Sequence, residues 1–219
     1  INVQMFLHAA IPTNATADYV SEAMLRKQFE VIQAAYKPHD IHFTLGGTSR
    51  TVQDNITTYA ATENDNSIRT GDYMTLHIFV YASMPFLGQA NFPDPSRPKS
   101  DGWLDAVHIN AAGLPGGSRA GYDLGRTAVH EVGHWFGLFH PFGGQCDNED
   151  TGDFVADTPR QQDPTRPADG CPAAKDTCPT VPGLDNVHNY MDYSIDSCKV
   201  LFTPGQEVRM HNLFNSVRA

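Results

Sequence analysis

Five short runs with the apolar pattern of strands fall before residue 111, and a helical stretch separates the first two. INVQMFLH, starting at Ile1, reads as a buried strand. Val20, Ala23, Met24, Phe29, Val31 and Ile32 then recur at helical spacing, which predicts a helix from an Asp18 cap to about Ala35, stopped by Pro38. IHFTLGG (residues 41–47) alternates like a half-buried strand, whereas MTLHIFVY (residues 74–81) is apolar almost throughout and predicts a more fully buried one. Residues 87–92 and AVHIN (residues 106–110) are shorter strand candidates. Pro93, Pro95 and Pro98 mark one surface loop, and glycines between Leu114 and Gly121 mark another. Asp123 leads into a second helix, and Thr203 or Pro204 starts a final one with Val208, Leu213, Phe214 and Val217 on its inner face. Between Gly143 and Gly183 the chain is rich in Gly, Pro, Asp and Cys, so it needs cross-links or ions in place of apolar burial.

Composition narrows this picture. With 219 residues and 40% hydrophobic content the chain can bury one substantial core, so a single domain over residues 1–219 is expected. It has no apolar run long enough to span a membrane. A net charge of −10 without a basic stripe argues against nucleic acid as a partner. Ile1 opens directly on a strand, as a secreted enzyme does once a signal and pro-segment are removed. Cys146, Cys171, Cys178 and Cys198 are spaced by 25, 7 and 20 residues, which rules out paired zinc knuckles and favours two disulfides in an oxidising compartment. Three pairings are open. The triplets beginning at Asn14 and Asn55 are N-glycosylation sequons and agree with secretion.

The acidic residues are unevenly placed. Asp147, Glu149, Asp150, Asp153 and Asp157 fall within eleven residues that hold no Lys or Arg. This is either a solvated loop or a calcium site, for which Asp150, Asp153, Asp157 and Thr158 would supply hard oxygen ligands. His42, His77 and His108 lie inside strand runs without a second ligand near them in sequence, so they read as packed or surface residues.

The most specific pattern is HEVGHWFGLFH, from His130 to His140. On a helix, His130 and His134 stand at i and i+4 and project from one face. Gly137 lets the chain leave the helix, and His140 swings back as a third zinc ligand. Three protein ligands leave one position open, as in catalytic zinc sites. Glu131, beside the first ligand, is placed to act as general base. A module keeping zinc only for structure would not need that glutamate, and a zinc hydrolase of non-peptide amides is the other rival. No Ser-His-Asp or Cys-His set competes.

The motif resembles that of the metzincin metallopeptidases. With GD-x-V-x-DTP from Gly152, NYMDY-x-x-D-x-C from Asn189 and FTPGQ-x-x-RM from Phe202, the chain resembles the pappalysin family. It is most like the compact secreted members, ulilysin-like and fungal extracellular metallopeptidases.

The resemblance implies an α/β fold in which a twisted, mixed, mostly parallel five-stranded sheet with a backing helix and the active-site helix forms an upper subdomain (1–137). An irregular lower subdomain (138–219) would end in the C-terminal helix, with peptide or protein substrate in the cleft between them. It implies a secreted, monomeric zinc endopeptidase in which Met191 forms the floor of the Met-turn beneath the imidazoles and Tyr193 helps hold the oxyanion. The implied disulfides are Cys146–Cys178 and Cys171–Cys198. The strand near residues 87–92 would take extended peptide as an added strand. In metzincins the segment after the Met-turn walls the pocket for the side chain just after the cut bond. An Asp196 facing that pocket would favour Arg or Lys there, as in ulilysin-like relatives, whereas an Asp196 capping a turn would leave it apolar.

Overall fold

A computed structural model describes residues 1–16, 18–56, 68–96, 105–146 and 152–219. Five strands form one sheet in the order β2-β1-β3-β5-β4: β1 (Asn2–Ile11), β2 (His42–Val52), β3 (Leu76–Tyr81), β4 (Gly88–Ala90) and β5 (Val107–Asn110). All neighbours are parallel except β4, which runs antiparallel to β5 on the edge. Buried strand residues such as Met5, Leu7, Leu76 and Ile78 meet the helices, so β3 is as apolar as its sequence indicates.

Helix α1 (Glu22–Tyr36) backs the sheet and is shorter than expected at its start: Ser21, not Asp18, is its cap, accepting from the Met24 amide at 3.3 Å. Its buried stripe is Leu25, Gln28, Ile32, Ala35 and Tyr36, and Ala23 is exposed. Gln28 and Tyr36 are turned inward because they satisfy backbone groups of the second helix, α2 (Arg126–Trp135). Gln28 Nε2 donates to the Gly125 carbonyl at 3.0 Å and Tyr36 Oη to that of Val129 at 2.8 Å.

The final helix α3 (Pro204–Leu213) begins where expected, under a Thr203–Gln206 capping box. Its inner face differs from the apolar pattern. Gln206, Met210, Phe214 and Arg218 point inward, while Val208 is exposed. The capping box sets this phase: Gln206 is buried, exchanging hydrogen bonds with Asn189 at 2.8 and 3.1 Å. Between α2 and α3 the described residues are largely irregular and cross-linked by Cys146–Cys178 and Cys171–Cys198, the interleaved pairing. They close spans of 32 and 27 residues, each worth about 3–4 kcal/mol in the chain-entropy account. Asn14 and Asn55 are exposed; Thr57 of the second sequon lies outside the described residues. His77 and His108 are buried in a stack of rings with Phe79, and His42 is half exposed beside Asp40. No described helix is long and apolar enough to cross a membrane.

Candidate active site

Helix α2 carries His130 and His134 one turn apart, and both are buried. Gly137 follows at φ +92°, in the left-handed region that glycine tolerates, and the chain turns back there to bring in His140. A Cβ at Gly137 would also lie 2.3 Å from Leu213 Cδ1, so a side chain is excluded twice.

Nε2 of His140 lies 3.0 Å from Nε2 of both His130 and His134. The two helical rings have fixed tautomers. Nδ1 of His130 donates to the Tyr190 carbonyl at 2.8 Å, and Nδ1 of His134 to that of Leu138 at 2.7 Å. Each Nε2 therefore offers a lone pair inward, as second-shell carbonyls arrange for metal-ligating histidines. Burial keeps all three rings neutral, lowering His134 to about 4, His140 to about 3 and His130 well below its ordinary value. Converging neutral imidazoles this close repel unless a proton or cation lies between them. Tetrahedral zinc at ~2.0–2.1 Å from nitrogen needs ligands about 3.3 Å apart, so the donor set fits that ion. Among the described residues this is the one cluster of three or more His, Cys, Asp or Glu side chains able to hold a metal.

The floor beneath the rings comes from the segment at residues 188–193. Met191 is fully buried, and a Cβ on Gly133 would come within 2.4 Å of its sulfur. Gly133 is thus the gap in α2 that admits the thioether, a requirement the sequence motif leaves unspecified. Gly133→Ala should lower stability by about 1–3 kcal/mol, because overpacking outweighs the ~1 kcal/mol gain in helix propensity. Thermal denaturation checks this, and an unchanged or higher Tm would contradict the close approach.

Glu131 is buried, and burial pushes its carboxyl up to about 8, with the charge of Lys199 opposing. A Cβ at Gly88 would lie 2.7 Å from Glu131 Oε1, so glycine lets the edge strand pass directly over this carboxylate. Tyr193 is 44% exposed, its ring 5.6 Å from that of His130 and 4.8 Å from that of His140. Its phenol is raised by burial and then by the charge of Glu131, so it stays a proton donor. Phe142 stacks on His140 at 4.6 Å, and Phe92 lies 5.0 Å from His134. Phe92, placed by the loop after β4, carries no sequence signal for this position.

The structure places Asp196 elsewhere than in the expected pocket. Its Oδ2 accepts from the amides of Leu124 and Arg126 at 3.0 and 3.2 Å, capping the start of α2, where Gly125 has no side chain to do so. Of the two placements expected for Asp196, the hydrogen bonds of Oδ2 match the capping one; the cavity beside Glu131 is lined by Lys199, Asp196 is not among its walls, and Asp196 Oδ1 is buried without a hydrogen-bond partner.

The candidate calcium residues also divide. Asp157 is engaged at the start of α3, accepting from Thr203 Oγ1 at 2.6 Å and the Gly205 amide at 2.8 Å. Asp153, Thr158 and the Val155 carbonyl do meet. Thr158 Oγ1 lies 2.7 Å from Asp153 Oδ1 and 2.8 Å from Val155 O, and Asp153 Oδ2 is buried without a hydrogen-bond partner. Asp150 lies outside the described residues.

Comparison with known proteins agrees with this geometry. Residues 58–215 match the peptidase M43 family, described as pregnancy-associated plasma protein-A. An extracellular metalloprotease of Pyricularia oryzae is 43% identical over 223 residues, spanning 100% of this chain and 77% of that protein. One from Neurospora crassa is 41% identical over 226 residues, spanning 100% and 76%. Mature mirolysin of Tannerella forsythia, solved in complex with a cleaved peptide, superposes with a TM-score of 0.77 at 27% identity, covering 98% of this chain and 92% of that one.

Proposed function

The chain belongs to the peptidase M43 family, the pappalysins, and is a metallopeptidase; on that premise we propose that it is a secreted zinc endopeptidase with Glu131 as general base. The observation that carries this is the convergence of three neutral Nε2 atoms beside a buried carboxylate in an open cavity. His130, His134 and His140 would hold zinc, which when bound would supply Lewis acidity to the scissile carbonyl and to the attacking water. Glu131 takes the proton from that water and delivers it to the leaving amine. The Tyr193 hydroxyl donates to the developing oxyanion. Substrate lies across the cleft between residues 1–137 and 138–219 of a single catalytic domain. It is held extended by β4, whose outer edge pairs with no other described strand and would accept a further antiparallel one. Relatives named as extracellular metalloproteases and the two disulfides support secretion. A preference for Arg or Lys after the cut bond is left out of this reading, since Asp196 Oδ2 caps α2 and Lys199 lines the cavity.

Incubation with casein tests the reading. Internal cuts mapped by mass spectrometry, abolished by a zinc chelator, are expected. Activity confined to small non-peptide amides would assign the chemistry elsewhere.

Calcium completes the proposal. Asp153 Oδ1, Thr158 Oγ1 and the Val155 carbonyl oxygen converge, and the second oxygen of Asp153, Oδ2, is buried without a hydrogen-bond partner. Calcium at a hundredfold its Kd should add ~2.7 kcal/mol, raising the Tm of zinc-loaded protein by roughly 5–10 °C. An unchanged Tm after removal by a calcium-selective chelator would dismiss the site.

A further inference from the structure

A cavity of about 310 Å³ opens beside Glu131, with walls that include Leu87 and Gly88 of the edge segment, Tyr193, Thr165, Arg166 and Lys199. Its walls carry Glu131 together with two basic side chains, Lys199 and Arg166. Lys199 is only 3% exposed, yet its ammonium makes no hydrogen bond or ion pair with any described residue; Nζ lies 5.6 Å from the centroid of the Tyr122 ring. Arg166 stands exposed at the rim, its guanidinium likewise without an ion pair among the described residues. Two aspartates interact with Lys199 electrostatically, Asp196 and Asp192. Asp196 Oδ2 accepts from the Leu124 and Arg126 amides at the start of α2, and Asp192 Oδ1 accepts from Gln161 Nε2 at 3.0 Å and the Thr165 amide at 3.1 Å, while Asp196 Oδ1 and Asp192 Oδ2 are buried without a hydrogen-bond partner. Neither aspartate lines the cavity. Burial pulls the Lys199 amine down from its ordinary value, while Asp196, Asp192 and Glu131 push it back up, which preserves an ammonium.

We propose that Lys199, with Arg166 at the rim, selects substrates that carry an acidic side chain just after the cut bond. The proposal rests on the peptidase reading above and deepens it. A largely buried ammonium without a hydrogen-bond partner is costly, and the three classes of substrate side chain treat it differently. Arg or Lys would set cation against cation. Leu or Phe would cover the ammonium and leave it unpaired. Glu or Asp reaches it with a charge-assisted hydrogen bond. The pocket therefore works by repulsion as well as attraction.

The test uses zinc-loaded enzyme and peptides identical except for the residue after the cut: Glu, its uncharged isostere Gln, Leu and Arg. All extend several residues further and end in an amide, so the side chain offers the only carboxylate at that position. The expected kcat/KM for the Glu peptide is at least tenfold above each of the others. Lys199→Met should reduce the Glu-to-Leu ratio at least tenfold, a change in preference that a loss of folded protein would not produce. Should that variant fail to fold, the Glu-to-Gln ratio of the unaltered enzyme decides alone. A Glu-to-Gln ratio near one, a preference for Arg, or a Glu-to-Leu ratio unmoved by Lys199→Met would overturn the assignment. Casein cut without acidic preference would overturn the pocket and leave the peptidase reading standing. Casein left intact would overturn the peptidase reading and the pocket with it.

Discussion

Glu131→Ala should bind zinc as the unaltered enzyme does and yet hydrolyse casein roughly 10²–10⁴-fold more slowly. The three imidazoles are untouched by the substitution, and the Nδ1 donors of His130 and His134 keep their carbonyl partners at Tyr190 and Leu138. What is lost is the proton acceptor beside the scissile bond. Among the described residues, the other ionisable side chains lining the cavity, apart from His130, are Tyr122, Arg166, Tyr193 and Lys199. Lys199 and Arg166 are cations, and burial raises both phenols above their ordinary values, so none replaces a carboxylate as base. Metal content by atomic absorption, measured on the sample used for kinetics, separates loss of base from loss of zinc. Zinc-replete Glu131→Ala that retained more than about a tenth of the activity would remove the general-base assignment, given the usual size of that contribution.

Arg218→Ala should cost about 3–5 kcal/mol of stability, the usual result of stripping a buried charge of its partner. Arg218 and Asp105 have side chains 0% and 1% exposed and pair in a fork, at 2.6 and 2.9 Å. The guanidinium also donates to the Trp135 carbonyl at the end of α2 and to that of Tyr73, and stacks 3.7 Å from the Trp135 ring. Trp135 Nε1 donates to the same aspartate at 3.2 Å. Truncation leaves Asp105 charged and buried with only the indole donor, and frees the carbonyl end of the helix that carries the histidines. Chemical denaturation checks the magnitude. Arg218→Met combined with Asp105→Leu should recover most of the loss, since apolar replacement of a whole buried pair is far less costly than halving it. A single-variant loss below about 1 kcal/mol would mean that the pair contributes little.

The two sites differ in how visible they were beforehand. The metal site could be read because its chemistry is local. His130 and His134 are fixed by the helical repeat, Gly137 by its backbone conformation, and His140 by three further residues of chain. The strands were read from apolar runs, although their ends moved by a few residues where pairing decided them: β2 continues to Val52 because β1 runs alongside it to Ile11. Features that depend on distant partners were not readable. Gln28 is a polar residue on an exposed-looking helix position until Gly125, 97 residues on, presents its carbonyl. Val208 is apolar and exposed because the capping box, not hydrophobicity, fixes the phase of α3. Arg218 reads as a charged residue near a chain end, and its aspartate lies 113 residues away. Asp196 and Lys199 lie three positions apart in one irregular segment, where no period indicates which of them faces the cavity. Resemblance favoured the aspartate; the structure gives it a helix to cap and turns the lysine inward.

Zinc titration tests the central claim most directly. Enzyme stripped of metal by a chelator and freed of it by dialysis is titrated with zinc while casein hydrolysis is followed. The same titration is run on His140→Ala, which removes the ligand beyond the helix. The account predicts no hydrolysis without zinc, full recovery at one equivalent per chain, and little or no recovery in His140→Ala at that concentration. Undiminished casein hydrolysis by metal-free enzyme, or recovery in His140→Ala identical to that of the unaltered chain, would contradict it.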